Sequence, residues 1–182
     1  MAMSKVELFS ELPTIVGEHL TIRPLEASDA SALQEFIDTE RNYPYIPTYL
    51  FEMNHGTALD VIEDVYKDLF LDKESIILGV YLGGWEFCGL AEIYGYRPEA
   101  HKVSLGARFH ERYWNRGIAT EVLHLMVEYL YNETDCDLIT VSVMVENEPS
   151  NRIAEKNGFI FTTVAEEDWG FGYLVEVNKY FC

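Results

Sequence analysis

The stretch Trp114-Asn115-Arg116-Gly117-Ile118-Ala119-Thr120 decides the reading of this chain. Before it, Val103 to Phe109 reads as a strand; after it, Ala119, Val122, Leu123, Met126, Val127 and Leu130 recur at helical spacing as one apolar face. A strand that enters a glycine-containing loop and then a helix N-terminus is an anion-binding arrangement. The first-turn N–H groups lack intrahelical partners, and the helix dipole adds roughly half a positive charge there. Gly117 and Ala119 are small enough to let a pyrophosphate approach the backbone. The loop lacks both GK[ST] and GxGxxG, which excludes P-loop and Rossmann dinucleotide readings.

Charge points to the same stretch. The chain has 13 basic and 31 acidic side chains, a net charge of -18. Residues 1–97 carry a balance of -11 and residues 121–182 one of -9, whereas residues 98–120 carry +2 through Lys102, Arg108, Arg112 and Arg116. A sign reversal in an acidic chain suits an anion, although four basic residues on a solvated face would look the same. Nucleic acid is a poor partner for so acidic a protein.

Working outward, Leu20 to Arg23 alternates as a first strand, and Ser28-Asp29 offers a cap for a helix bearing Ala32, Leu33, Phe36 and Ile37. A second helix from about Thr57 carries Leu59, Ile62, Val65, Tyr66, Leu69 and Phe70. Ile76 to Leu82 and Trp85 to Tyr94 flank Gly83-Gly84, a two-residue hairpin turn. Beyond the central helix, Leu138 to Val145 reads as a buried strand. Asn147 caps a short helix closed by Gly158, and strands Phe159 to Ala165 and Tyr173 to Tyr180 complete the chain. The fold class is α+β. Its sheet must be mixed, because the strand–helix–strand crossover over 103–145 is parallel and the hairpins are antiparallel. No linker or repeat divides the 182 residues, so one domain over 1–182 is expected.

Other features bound the function. No apolar run approaches the roughly 20 residues of a membrane span. Met1 to Ser10 has no apolar core of signal-peptide length, so export is not expected. Cys88, Cys136 and Cys182 have no paired spacing, which fits a reducing cytoplasm, with Cys88 packing as a small hydrophobe. His101 and His110 lack a third ligand at metal spacing, so no metal is expected.

At this point the chain resembles a known family. Glu111-Arg112-Tyr113-Trp114-Asn115-Arg116-Gly117-Ile118-Ala119-Thr120-Glu121 is similar to the acetyl-CoA pyrophosphate motif of the GNAT superfamily of N-acetyltransferases. The likeness is greatest to the branch of RimJ/RimL-type ribosomal-protein N-terminal acetyltransferases. Asn147-Glu148-Pro149-Ser150 followed by Glu155-Lys156-Asn157-Gly158-Phe159 resembles that branch's N-x-x-S…EK-x-GF segment. Leu20 to Leu25 followed by Ala27-Ser28-Asp29-Ala30 resembles its opening. The resemblance implies the GNAT fold, a mixed and splayed sheet flanked by helices, with the cofactor wedged between the fourth and fifth strands. Two departures stand out: Trp114 replaces the usual Gln or Arg, and Asn115 replaces the branch's glycine. Asparagine tolerates a left-handed backbone, so the loop is expected to survive.

The resemblance implies direct transfer of acetyl from acetyl-CoA to a primary amine, on a ribosomal-type peptide N-terminus or a small cationic amine, and leaves a homodimer open. Backbone groups around Arg108 and Phe109 would hold pantetheine and acetyl; Trp114 and Asn115 would shape the loop, and amides from Arg116, Gly117, Ile118, Ala119 and Thr120 would hold the pyrophosphate. Asn147 and Ser150 would lie beside the thiol, where Ser150 would stabilise or protonate the thiolate, unless its hydroxyl only caps backbone. The family's usual glutamate falls at Ser104 and its tyrosine acid at Ala154. Glu92, flanked by Leu90, Tyr94 and Tyr96, is the remaining carboxylate for a base; pairing with an arginine is its alternative. Glu166, Glu167 and Asp168 are rivals, as is a water chain. Tyr43, Tyr45, Tyr49 and Phe51 are candidates to line an acceptor pocket. Loss of both usual proton-transfer residues keeps a second class in view, a non-catalytic acetyl-CoA-binding module.

Overall fold

The computed structural model describes residues 5–39, 45, 52 and 54–182. Eight strands form one sheet: β1 (Ile15–Val16), β2 (Leu20–Arg23), β3 (Ser75–Leu82), β4 (Glu86–Arg97), β5 (Lys102–Phe109), β6 (Leu138–Met144), β7 (Ile160–Asp168) and β8 (Leu174–Phe181), in the order β1-β2-β3-β4-β5-β6-β8-β7. Only β5 and β6 are parallel neighbours, as the crossover requires. The two-residue β1 precedes the strand read as first, so the fourth and fifth strands of the sequence reading are β5 and β6.

Helices cover both faces. Helix α1 (Ala30–Asp38) and α2 lie on one face; α2 is continuous through Ala58–Asp60, a π-helical turn at Val61–Val65, and Tyr66–Leu71. Leu33, Phe36, Ile37, Ala58, Val61 and Tyr66 pack there against Ile77, Tyr81, Phe87 and Leu90. Leu59 was expected on this apolar face but is 39% exposed, because the π-turn shifts the helical phase and buries Ala58 and Val61 instead. Thr57 does begin α2: its hydroxyl accepts from the Asp60 amide at 3.3 Å. Helix α3 (Ile118–Glu133) and α4 (Glu148–Lys156) lie on the other face. There Ile118, Val122, Met126 and Leu130 join Ile76, Leu78, Ala91, Val103 and Ile139 in the main core.

Several details differ from expectation, among them β7, which runs on to Asp168 rather than ending at Ala165 and so carries the acids Glu166, Glu167 and Asp168 on a strand. The β3–β4 hairpin loop is Gly83-Gly84-Trp85, since Leu82 pairs with Glu86, and Trp85 is exposed outside the strand. Val145 falls beyond β6 and is likewise exposed. In β4 the register slips between Tyr94 and Arg97, next to Gly95 in a left-handed conformation. This bulge takes Tyr96 away from Glu92: its ring packs on Phe9 and its hydroxyl donates to Asp135 at 3.2 Å.

Candidate active site

Strands β5 and β6 pair only over Lys102↔Leu138, Val103↔Ile139 and Ser104↔Thr140. Beyond that point β5 continues to Phe109 and β6 to Met144 without pairing, so the sheet splits into a V. The Ser104 and Thr140 hydroxyls, 2.8 Å apart, mark its vertex. Ser104, the position of the family's usual glutamate, is therefore occupied in closing the split. Thr140, Ser142 and Met144 share one face of β6; on the adjoining β8 the Lys179 ammonium donates to Ser142 Oγ at 2.7 Å and to Glu167.

At the mouth of the V, the loop after β5 is held down by specific contacts. Tyr113 is buried and donates to Glu86 at 2.6 Å, and the Trp114 indole donates to the Phe109 carbonyl at 2.8 Å. Asn115 has φ 59° and Gly117 φ 79°, so both departures from an ordinary backbone fall where asparagine and glycine tolerate them. A Cβ built on Gly117 would meet nothing within 4 Å. Gly117 makes no side-chain cap, and the N–H groups of residues 115–120 find no acceptor among the described residues. Open space, free amides and the N-terminal end of a 16-residue helix together fit a pyrophosphate. Ile118 contributes only its amide, since its side chain is in the core; Ala119 and Thr120 are half-buried.

The four cations of residues 98–120 divide in the folded state. Arg112 pairs with Glu35 at 2.9 Å, and Arg108 is buried against Glu52. Arg116 and Lys102 make no ion pair among the described residues, and Arg116 lies in the loop itself, 5.5 Å from the Tyr113 ring. Burial and the neighbouring Arg112 lower the pKa of His110, opposed by Glu35 and Glu111.

Arg108 is a correction to the charge reading. Its side chain is 5% exposed and donates from both terminal nitrogens to Glu52 at 2.6 Å, so only its backbone can face the V. Glu52 is 1% exposed and also accepts the Tyr66 hydroxyl at 2.5 Å. Sequence reasoning missed Glu52: nothing local marks a buried acid whose partner lies 56 residues away.

Glu92 lies on the same face of the sheet, one diagonal step from Arg108, because Glu92 pairs with Gly106 and Leu90 with Arg108. It is half-buried and accepts from the Ser75 hydroxyl at 2.8 Å. Burial raises its pKa; Arg108 and the Ser75 hydrogen bond oppose the rise, and Glu52 adds to it. The rival acids differ. Burial would raise the Glu167 pKa, but the Lys179 ammonium and the Trp169 indole, which donates at 2.8 Å, together hold it below the usual value. Asp168 accepts from the Gly170 amide at 2.9 Å, a turn bond.

After β6, the Asn147 side chain accepts from the Ser150 amide at 3.3 Å, the expected cap of α4. The Ser150 hydroxyl is half-buried and makes no hydrogen bond among the described residues. Asn151, to which the sequence reading gave no role, is the hub of this corner. Its amide donates to the carbonyls of Met144 and Asn147 at 3.0 and 2.9 Å, and its oxygen accepts from Asn178 and Tyr180, both at 2.8 Å. Ala154, at the tyrosine-acid position, is buried at 1% exposure in the core. Tyr45 packs against the cluster of Met144, Val175 and Val177, as does Trp169; Tyr43, Tyr49 and Phe51 lie outside the described residues. Among the described residues, no group of three His, Cys, Asp or Glu side chains could hold a metal, and no helix is long and apolar enough to cross a membrane.

A split parallel strand pair with a free helix N-terminus at its mouth is an arrangement suited to a phosphate-bearing carrier laid across a sheet. Comparison with known proteins agrees: residues 19–160 match the family described as Acetyltransferase (GNAT) domain. The chain belongs to the GNAT acetyltransferases and is an acyltransferase of the N-acetyltransferase type. It is 25% identical over 149 residues to a Bacillus subtilis protein with the provisional name ribosomal N-acetyltransferase YdaF, covering 80% of each. Its fold matches RimL, a ribosomal L7/L12 α-N-protein acetyltransferase solved with coenzyme A. That match has a TM-score of 0.80 at 16% identity over 93% of this chain and 97% of the other. It also matches a chimera of the Vibrio cholerae spermidine N-acetyltransferase SpeG with hSSAT, with a TM-score of 0.72 at 18% identity over 90% and 95% of the two chains.

Proposed function

We propose that this chain, acting as a single domain over residues 1–182 in the cytoplasm, transfers acetyl from acetyl-CoA directly to a primary amine in a cationic setting. A basic protein N-terminus is the acceptor the reading favours. The observation that carries it is the V between β5 and β6, with free amides at its mouth and Glu92 on the sheet face beside it. The likeness to YdaF and RimL supports a ribosomal-type peptide acceptor. A small polyamine is the second reading, supported by the SpeG match and by a balance of -20 outside residues 98–120.

Bound acetyl-CoA supplies an activated acetyl thioester. Amides of residues 115–120, with Arg116, hold its pyrophosphate; the unpaired β5 edge near Phe109 and the corner at Asn147 hold the arm. As the amine nitrogen bonds the carbonyl carbon and the carbon–sulfur bond breaks, Glu92 takes the nitrogen's proton, directly or through a water. The Ser150 hydroxyl donates to the departing sulfur. A peptide α-amine asks little of the base, because its pKa of about 7.7–8.0 leaves roughly a tenth of it neutral at pH 7.

The test is acetyl-CoA turnover with a basic peptide, a neutral peptide of equal length, and spermidine, at about 0.1 and 1 M salt. Steering by the acidic field fades as the Debye length falls from about 10 to about 3 Å. The expected result is a higher kcat/KM for the basic peptide that drops with salt. Preference for the neutral peptide would refute charge selection. Coenzyme A binding without turnover of any amine would point to a non-catalytic module.

A further inference from the structure

Among the described residues, three charged groups meet on the face of the sheet that carries Glu92: the carboxylates of Glu52 and Glu92, and between them a single cation, the Arg108 guanidinium. A guanidinium presents one fork that matches one carboxylate bidentately. Here the fork is taken, with both Arg108–Glu52 contacts at 2.6 Å and both residues buried. The Tyr66 hydroxyl fixes Glu52 in that position from α2. Among the described residues Glu92, a diagonal neighbour of Arg108 across β4 and β5, makes no ion pair with it and accepts only the neutral Ser75 hydroxyl.

We propose that Glu52 is a positioning residue: by occupying the Arg108 fork it withholds that cation from Glu92 and leaves the Glu92 carboxylate unpaired and basic. The inference rests on the reading of Glu92 as the proton acceptor. One cation between two carboxylates leaves an excess negative charge that a proton on Glu92 relieves. Remove Glu52, and Arg108 is a buried cation whose remaining carboxylate is Glu92. The pair then closes into an ordinary salt bridge, and the base is lost as a base. The groups facing Glu92 are Arg108 from β5, Glu52 from the chain between α1 and α2, Tyr66 from α2 and Tyr94 from β4, with Glu167 of β7 beyond Tyr94. Burial and Glu52 both raise the Glu92 pKa, in keeping with this arrangement.

The experiment is a carbon-13 NMR titration of the glutamate carboxyls in wild type and Glu52→Gln, with Glu92→Gln identifying the resonance, alongside kcat/KM against pH. Losing a like charge and gaining an opposite one each lower a carboxyl pKa, together by about one pH unit or more, so the Glu92 midpoint is expected to fall by that amount in Glu52→Gln. The acidic limb of kcat/KM should move down with it, and the coenzyme A Kd should stay within about twofold. A Glu92 midpoint that stays put or rises in folded Glu52→Gln overturns the proposal. A midpoint that falls while the kinetic limb does not move keeps the Glu52 assignment and refutes Glu92 as base. If Glu52→Gln fails to fold, Glu52→Asp keeps the charge but cannot span the fork. A smaller fall in the midpoint is then expected, and none would be contrary.

Discussion

Replacing Gly117 by glutamate separates a phosphate-binding loop from a packing turn. Gly117 sits at φ 79°, and an added Cβ meets nothing within 4 Å, so the new side chain fits without a clash. The left-handed backbone itself costs a non-glycine residue about 1–2 kcal/mol of stability. Gly117→Ala carries that same strain and serves as the control. The carboxylate adds a charge at the helix N-terminus; at roughly 6 Å from one phosphate charge and an effective dielectric of about 20, the repulsion is about 3 kcal/mol. That is about two decades in Kd. Calorimetric titration with coenzyme A should show Gly117→Glu weakened about a hundredfold at 0.1 M salt and less at 1 M, and Gly117→Ala weakened less than about tenfold. Folded Gly117→Glu with a wild-type Kd would refute the loop as the pyrophosphate site.

The two exposed arginines of the loop should behave differently: Arg116→Ala is expected to weaken coenzyme A about three- to tenfold with a reduced salt dependence. Arg112→Ala, whose charge already serves Glu35, should leave the Kd nearly unchanged by the same titration. Asn151→Leu removes the donor to Met144 and Asn147 and the acceptor for Asn178 and Tyr180. At about 1 kcal/mol net for each bond, a loss of about 2–4 kcal/mol is expected, read as a fall of roughly 5–15 °C in Tm. A Tm within 2 °C of wild type would show that water replaces the whole network.

The alternation and helical spacing of this chain were enough to give the strand–loop–helix that begins at Val103, and local cap chemistry gave the Asn147 cap and the left-handed Gly158, because each of these depends on contacts only a few residues apart. Local pattern also placed Glu92 on a strand. The tertiary structure alone decided what surrounds it. Glu52 reaches Arg108 across 56 positions, and Lys179 and Trp169 remove Glu167 from the rival acids. The bulge at Gly95 turns Tyr96 to the opposite face. Ion pairs, strand register and burial are set by which segments fold onto one another, and a single sequence carries no local trace of a partner chosen that way. The split between β5 and β6 is of the same kind: each strand reads as an ordinary strand, and only their divergence after Ser104 and Thr140 makes room for a ligand.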